Sequence, residues 1–298
     1  MTTRPLILMT DPTWFDVSYE INPWMRPGVW RADAERHLRA ARNAFGALTA
    51  ALKAAGASVE IIDGAQGLPD MVFAANAAVV LHRRVLVGRF RPAERRGEEA
   101  LYLAAFRAMK ARGLVDEVAQ IAPGVFQEGA GDAIWDARRG HFWTGFGQRS
   151  DRAASDAIAA FFRREVVPLE LASPRFYHLD TCFCPLSGGE VLYYPPAFTP
   201  AALAEIKTRI PAEQLIEASD DDAAGLCVNA VSIGETVIMA RPPARLRRAL
   251  EARGYHVAAV DLSPFILAGG AAFCLTLRLD HLSAPNLAET VLAKTAAA

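Results

Sequence analysis

Five short stretches repeat one local pattern, a strand-like apolar run broken by small residues and one or two polar ones, and this constrains the fold more than any other feature. The stretches are MVFAANAAVVL (71–81), QEGAGDAIW (127–135), YHLDTCFCPL (177–186), CVNAVSIG (227–234) and GGAAFCLTLRL (269–279). They recur at intervals of roughly 45 to 55 residues, the period at which each repeat ordinarily forms one supersecondary unit. Helix-period segments alternate with them: ERHLRAARNAFGALTAALKAAG, ERRGEEALYLAAFRAMKARG, DRAASDAIAAFFRRE, PARLRRALEARG and APNLAETVLAKTAA. Several end in the Gly expected just past a helix C-terminus. AVVLHRRVLVGRF and HLDTCFCPLSGGEVLYYP read as hairpins turning at HRR and SGG.

The pattern predicts an α/β chain built as a ring of five β/α units whose polar interruptions point to one central cavity. An open α/β sheet in two lobes is the alternative. No linker rich in Pro, Gly or Ser divides the chain, so residues 1–298 read as one domain, although length alone suggests about two.

Composition narrows the function. Lys plus Arg number 32 and Asp plus Glu 33, a formal charge of -1, so no overall field favours nucleic acid or an anionic membrane surface. The expected partner is a small molecule, and nothing specifies or excludes a homo-oligomer. The opening MTTRPLILMTDPTWF has too short an apolar run for a secretory signal. No stretch approaches the ~18 apolar residues of a membrane span, and the expectation is a cytoplasmic protein. Four cysteines, Cys182, Cys184, Cys227 and Cys274, are too few for a disulfide scaffold, so each is either core or chemistry.

The interruptions hold Asp70 and Asn76, Glu128 and Asp132, His178 and Asp180, Asn229, and Cys274. A lone cysteine in an apolar run is ordinarily core filler, but a ring would bring Cys274 together with an imidazole and several carboxylates. His178, otherwise a satisfied core histidine, could then support a thiolate and shuttle protons near neutral pH. Glu128, in a run with Gly129 and Gly131, reads as a loop acid with its side chain exposed. Asp180 is expected on the same strand face as His178. Carboxylates around a nucleophilic sulfur suit a planar guanidinium, whose forked donors pair bidentately with them. Zinc is the rival use of HLDTCFC, but the run lacks the Cys-x2-Cys spacing of structural zinc. No phosphate-binding loop, dinucleotide fingerprint or G-x-S-x-G elbow occurs. No metal or cofactor is expected.

The ordered set FAAN, EGAGD, HLDT and GGAAFC resembles the guanidine-modifying enzymes of the pentein fold: arginine deiminases, dimethylarginine dimethylaminohydrolases, amidinotransferases and arginine dihydrolases. The resemblance covers about Met9 to Leu279. It implies a five-bladed β/α propeller with pseudo-fivefold repeats around a central active site. It also implies Cys274 as the nucleophile forming a covalent thiouronium, His178 as general acid and base, and Glu128 as the acid holding both guanidinium and His178. By the same resemblance Asp180 is the second guanidinium-binding carboxylate, Asp70 binds the substrate α-amino group, and Arg89 and Arg149 clamp its α-carboxylate. Phe73 lines the pocket. Asn76 departs from the aspartate usual in deiminases and dimethylarginine enzymes. Its amide both donates and accepts, so it could also hold a neutral ureido group. FAAN, with Asn22 in INPWM, looks most like arginine dihydrolases, which release ornithine and two ammonia.

The leading expectation is therefore a cysteine-dependent hydrolase of arginine's guanidinium, of dihydrolase or deiminase type. Hydrolysis of methylated arginine to citrulline and dimethylamine is the runner-up, amidine transfer is less favoured, and a non-catalytic propeller scaffold is the remote alternative. Segment 13–28 is a candidate lid.

Overall fold

The computed structural model describes residues 4–282; the helix read at APNLAETVLAKTAA lies outside them. The strands are β1 (Leu6–Thr10), β2 (Ser58–Ile62), β3 (Ala78–Leu81), β4 (Arg84–Val87), β5 (Glu117–Gln120), β6 (Ala133–Asp136), β7 (His141–Phe146), β8 (Val166–Glu170), β9 (Phe183–Pro185), β10 (Val191–Tyr193), β11 (Leu215–Glu217), β12 (Val231–Ile233), β13 (Thr236–Ala240), β14 (His256–Val260) and β15 (Leu277–Arg278). The helices are α1 (Pro27–Ala32), α2 (Ala34–Ala54), α3 (Arg96–Ala111), α4 (Ala154–Phe162), α5 (Pro200–Arg209), α6 (Asp220–Ala224), α7 (Ala244–Glu251) and α8 (Ser263–Ile266).

Among the described residues these strands form five separate three-stranded sheets, not one open sheet: β15-β1-β2, β3-β4-β5, β6-β7-β8, β9-β10-β11 and β12-β13-β14. All five share one wiring. The first strand pairs antiparallel with the second and the second parallel with the third. A parallel pair needs a crossover, normally a helix, and α2, α3, α4, α5 and α7 supply the five crossovers. One sheet joins the two ends of the described chain, because β1 pairs with β15 and Leu6 N donates to Asp280 Oδ1 at 3.0 Å.

Local chemistry explains the elements. Helix α2 buries Ala41, Ala44, Phe45, Leu48 and Leu52, an i, i+3, i+4, i+7 stripe, and starts where the Asp33 side chain accepts from Arg36 N. The predicted hairpin turn is formed by His82 and Arg83, both at positive φ (53° and 59°), the twist that joins adjacent antiparallel strands tightly. Helix α5 and the third strand of each sheet are absent from the sequence reading. Thr199 accepting from Ala202 N, with Pro200 at the first helical position, starts α5. The third strands run three to five residues with little alternation, as in EVAQ and LIE.

Candidate active site

Each first strand is entered through a short turn, and the turns hold the polar residues of the repeated pattern. Tight 3-10 turns at Ala74–Ala77, Gly129–Gly131 and Leu179–Thr181 precede β3, β6 and β9. Asn229 stands just before β12 and Cys274 just before β15. The turns lie close enough to exclude side chains: a Cβ on Gly131 would sit 2.3 Å from Asn76 Nδ2, and one on Gly270 2.3 Å from Phe73.

The polar groups bond from one turn to the next around a closed circuit. Asn76 Nδ2 donates to Glu128 O (3.4 Å) and lies 3.5 Å from His178 Nδ1. His178 Nε2 and Glu128 Oε2 are 2.7 Å apart. Asn229 Nδ2 reaches Asp180 O (3.0 Å) and Cys274 Sγ (3.1 Å), while its Oδ1 accepts from Cys274 N (3.1 Å) and Ala271 N (3.0 Å). The Cys274 thiol donates to Asp180 Oδ2 at 3.0 Å. Ala75 N donates to Cys274 O at 3.1 Å, which returns the circuit to the first turn.

Two expectations fail locally. Glu128 is fully buried rather than displayed by its glycine-flanked loop. Its oxygens are taken by His178, by Arg149 at 3.0 Å and by Arg91 N at 3.0 Å. Asp180 does not share a strand face with His178, because residues 179–181 form a 3-10 turn. That turn directs His178 to Glu128 and Asp180 to Cys274.

Burial dominates the electrostatics. It pushes the Asp180 carboxyl up to about 7, against the Cys274 hydrogen bond that favours its charged form. It also pushes the Cys274 thiol well above its usual value, and the neighbouring Asp180 charge adds to this. Asp132 is raised to about 6 by burial although Ser150 donates to it at 2.6 Å. Burial alone would also raise Glu128, but the Arg149 guanidinium and the His178 hydrogen bond hold it well below the usual carboxylate range. Asp180 Oδ1 and Asp70 Oδ1 are buried without any hydrogen-bond partner from the protein, each an acceptor whose isolation is costly unless a donor meets it.

The other anticipated residues are Phe73, Asn22, Arg149 and Arg89. Phe73 is buried against Phe15, with ring centroids 6.1 Å apart. Asn22 uses its amide on backbone, with Nδ2 to Ala268 O (3.1 Å) and Oδ1 from Trp24 N (2.9 Å). It thereby pins the 20–26 segment onto residues 267–269. Arg149 is 6% exposed and donates to Glu128 and to Ile21 O (2.7 Å). Arg89 points elsewhere, to Ile121 O at 2.6 Å and Glu99 at 3.5 Å. Besides Arg149, Arg95 also reaches the circuit, unanticipated and 3% exposed, with NH1 to Asn76 Oδ1 (2.8 Å), NH2 to Asp70 O (3.0 Å) and a paired contact to Glu98. Arg95 fixes the Asn76 amide with its NH2 toward His178. Tyr19 is also unanticipated; its buried hydroxyl faces the Asp70 charge. Among the described residues no group of three or more His, Cys, Asp or Glu side chains is placed to hold a metal ion.

A family model described as N,N dimethylarginine dimethylhydrolase, eukaryotic, matches residues 18–280. The bifunctional arginine dihydrolase/ornithine cyclodeaminase ArgZ of Synechocystis sp. is 42% identical over 285 residues, covering 96% of this chain and 39% of that protein. The chain thus spans about two fifths of the length of the bifunctional relatives it matches. The N(G),N(G)-dimethylarginine dimethylaminohydrolase of Mycobacterium tuberculosis is 35% identical, over 91% of this chain and 84% of that protein. A solved structure of the ArgZ N-terminal domain, an asparagine-to-serine variant covalently bound to a reaction intermediate, matches with a TM-score of 0.88 at 39% identity, covering 94% of this chain and 100% of that one. The chain belongs to the dimethylarginine dimethylaminohydrolase family, within the guanidine-modifying pentein superfamily.

Proposed function

We propose that this chain is a cysteine-dependent guanidinium hydrolase acting on arginine as a dihydrolase, with its five β/α units arranged as a five-bladed, single-domain propeller around the site. The observation that carries the reading is the buried Cys274 thiol bonded to Asp180 Oδ2, beside a carboxylate oxygen, Asp180 Oδ1, that no protein donor satisfies. A guanidinium is planar, cationic and rich in donors, and it supplies what that oxygen lacks. Asp70 Oδ1 is in the same condition and suits an α-ammonium group, while Arg149 offers a cation for an α-carboxylate.

The chemistry follows from the charges. In the ligand-free site, burial and Asp180 keep Cys274 as a thiol. A bound guanidinium neutralises Asp180 and favours transfer of the thiol proton to His178, so the substrate itself completes the nucleophile. The thiolate attacks the guanidinium carbon, a C–N bond breaks, and ammonia leaves with a proton from His178, whose imidazolium Glu128 stabilises. Water then gives a proton to His178 and attacks the thiouronium carbon; the C–S bond breaks and a neutral ureido product forms. A second attack needs the ureido group held in place, and the oriented Asn76 amide offers it a donor that an aspartate would not. Over two rounds arginine and two waters become ornithine, carbon dioxide and two ammonia.

Hydrolysis of dimethylarginine is the second reading, favoured by the family model and the mycobacterial relative. Product analysis with arginine and dimethylarginine, separately and in competition, tests both. The proposal expects ornithine and two ammonia per arginine consumed; dimethylamine as the preferred product would favour the second reading, and no product from either would defeat both. A cytoplasmic setting is supported by four cysteines that are all free thiols. Among the described residues no helix is long and apolar enough to cross a membrane.

A further inference from the structure

Behind the proposed site lies a cavity that the chemistry above leaves without a role. It measures about 70 Å³, and the first strand of every sheet contributes to its wall: Val80, Ile134, Cys184, Ser232 and Leu277. Its inner end is formed by Ala130, Ala230 and Phe273, the neighbours in sequence of the Glu128 loop, Asn229 and Cys274. At its outer end Trp135, Ser232, Arg278 and His281 also border a surface groove that includes Ser187. The site-bearing turns precede these strands, so the cavity lies on the strand side of the turns that hold the reacting groups.

Trp135 is 5% exposed, lines the cavity, and its Nε1 has no hydrogen-bond partner from the protein. An indole N–H can only donate, so it calls for an acceptor beside it. Water fits in size as well: at roughly 10–15 Å³ of such volume per molecule the space holds a few. On the front the reacting groups themselves are covered. Cys274, His178, Asp180 and Glu128 are each at most 2% exposed, and the 20–26 segment is fastened over them by Arg149 to Ile21 O, Asn22 to Ala268 O and Arg26 N to Leu267 O. A substrate whose amino-acid end fills that side would close it further.

We propose that this rear cavity supplies the hydrolytic water, so that the covalent intermediate is attacked from behind while the rest of the substrate still occupies the front. The inference rests on the arginine-directed reading above. In the step concerned, a cavity water passes one proton to His178 and its oxygen bonds to the thiouronium carbon. The C–S bond then breaks, returning its electron pair to Cys274.

The test is to plug the cavity without touching the site. Ser232→Trp places an indole at the mouth, and Ser187→Trp, in the groove outside, is the control of equal bulk. Val80→Phe fills the same space from another strand. Starving only the hydrolytic step lowers kcat and KM for arginine together and leaves kcat/KM unchanged. The expected result is a fall of about tenfold in both parameters for Ser232→Trp and Val80→Phe, with the Cys274 adduct accumulating in acid-quenched samples, and neither effect for Ser187→Trp. If wild type releases ammonia from arginine while both plugged variants keep wild-type kcat, or lose kcat/KM with no adduct, the water route is overturned and the functional reading survives. A wild type that releases no ammonia from arginine defeats the functional reading itself.

Discussion

At the scale of single residues the site carries charges that burial makes costly, and this gives Asp180 a measurable signature. Its carboxyl lies at about 7 when folded, above the ~3.9 of an unfolded aspartate. The folded state therefore binds that proton more tightly than the unfolded state. Asp180 costs nothing below about pH 4 and subtracts progressively from stability between about pH 4 and 7, with a limiting slope of about 1.4 kcal/mol per pH unit. Asp180→Asn is expected to gain stability relative to wild type across that window, read as a denaturation midpoint difference that grows from pH 4 to pH 7. A constant difference would mean that Asp180 does not titrate there. Asn76→Asp exchanges the oriented amide for a carboxylate that cannot donate to a ureido group. Citrulline is expected to accumulate, with ammonia falling from two toward one per arginine; an unchanged product ratio would remove Asn76 from the second step. The polar set was largely legible because the repeats hold it at equivalent places. Arg95 was not legible: RPAERRGEE reads as an exposed helix start, and only the fold shows that Arg95 turns inward to Asn76 while Arg96 beside it is exposed.

At the scale of elements, the three tight turns work because small residues let them meet. A Cβ on Gly131 would press against the Asn76 amide at 2.3 Å. Gly131→Ala is expected to cost about 1–3 kcal/mol in denaturant unfolding and to reduce turnover more than this destabilisation explains. Loss of stability with full specific activity would show the turn to be merely structural. Thr199→Ala, which removes the N-cap of α5 far from the site, is expected to cost about 1 kcal/mol with kcat unchanged. The long helices were legible from their apolar period, and the first two strands of several sheets from alternation and turn residues. The third strands escaped because runs such as EVAQ or LIE owe their pairing to a crossover helix that returns the chain, not to any pattern of their own.

For the whole molecule, one sheet draws on both ends of the described chain, and Cys274 stands immediately before the strand that completes it. Deleting residues 1–10 removes β1, leaving β15 and β2 without the strand between them. Loss of cooperative unfolding together with loss of activity is expected, and an active, cooperatively folding truncation would show that closure is dispensable. The central claim is that a guanidinium-like cation turns a buried, protonated Cys274 into the nucleophile. Peptide mapping after treatment with a haloacetamidine at neutral pH tests it most directly, since this reagent carries the amidinium charge and leaves a thioether on whichever sulfur displaces its halide. The account expects labelling of Cys274 in preference to Cys182, Cys184 and Cys227, suppressed by arginine. Labelling spread over the four thiols, or Cys274 inert to the reagent, would contradict it.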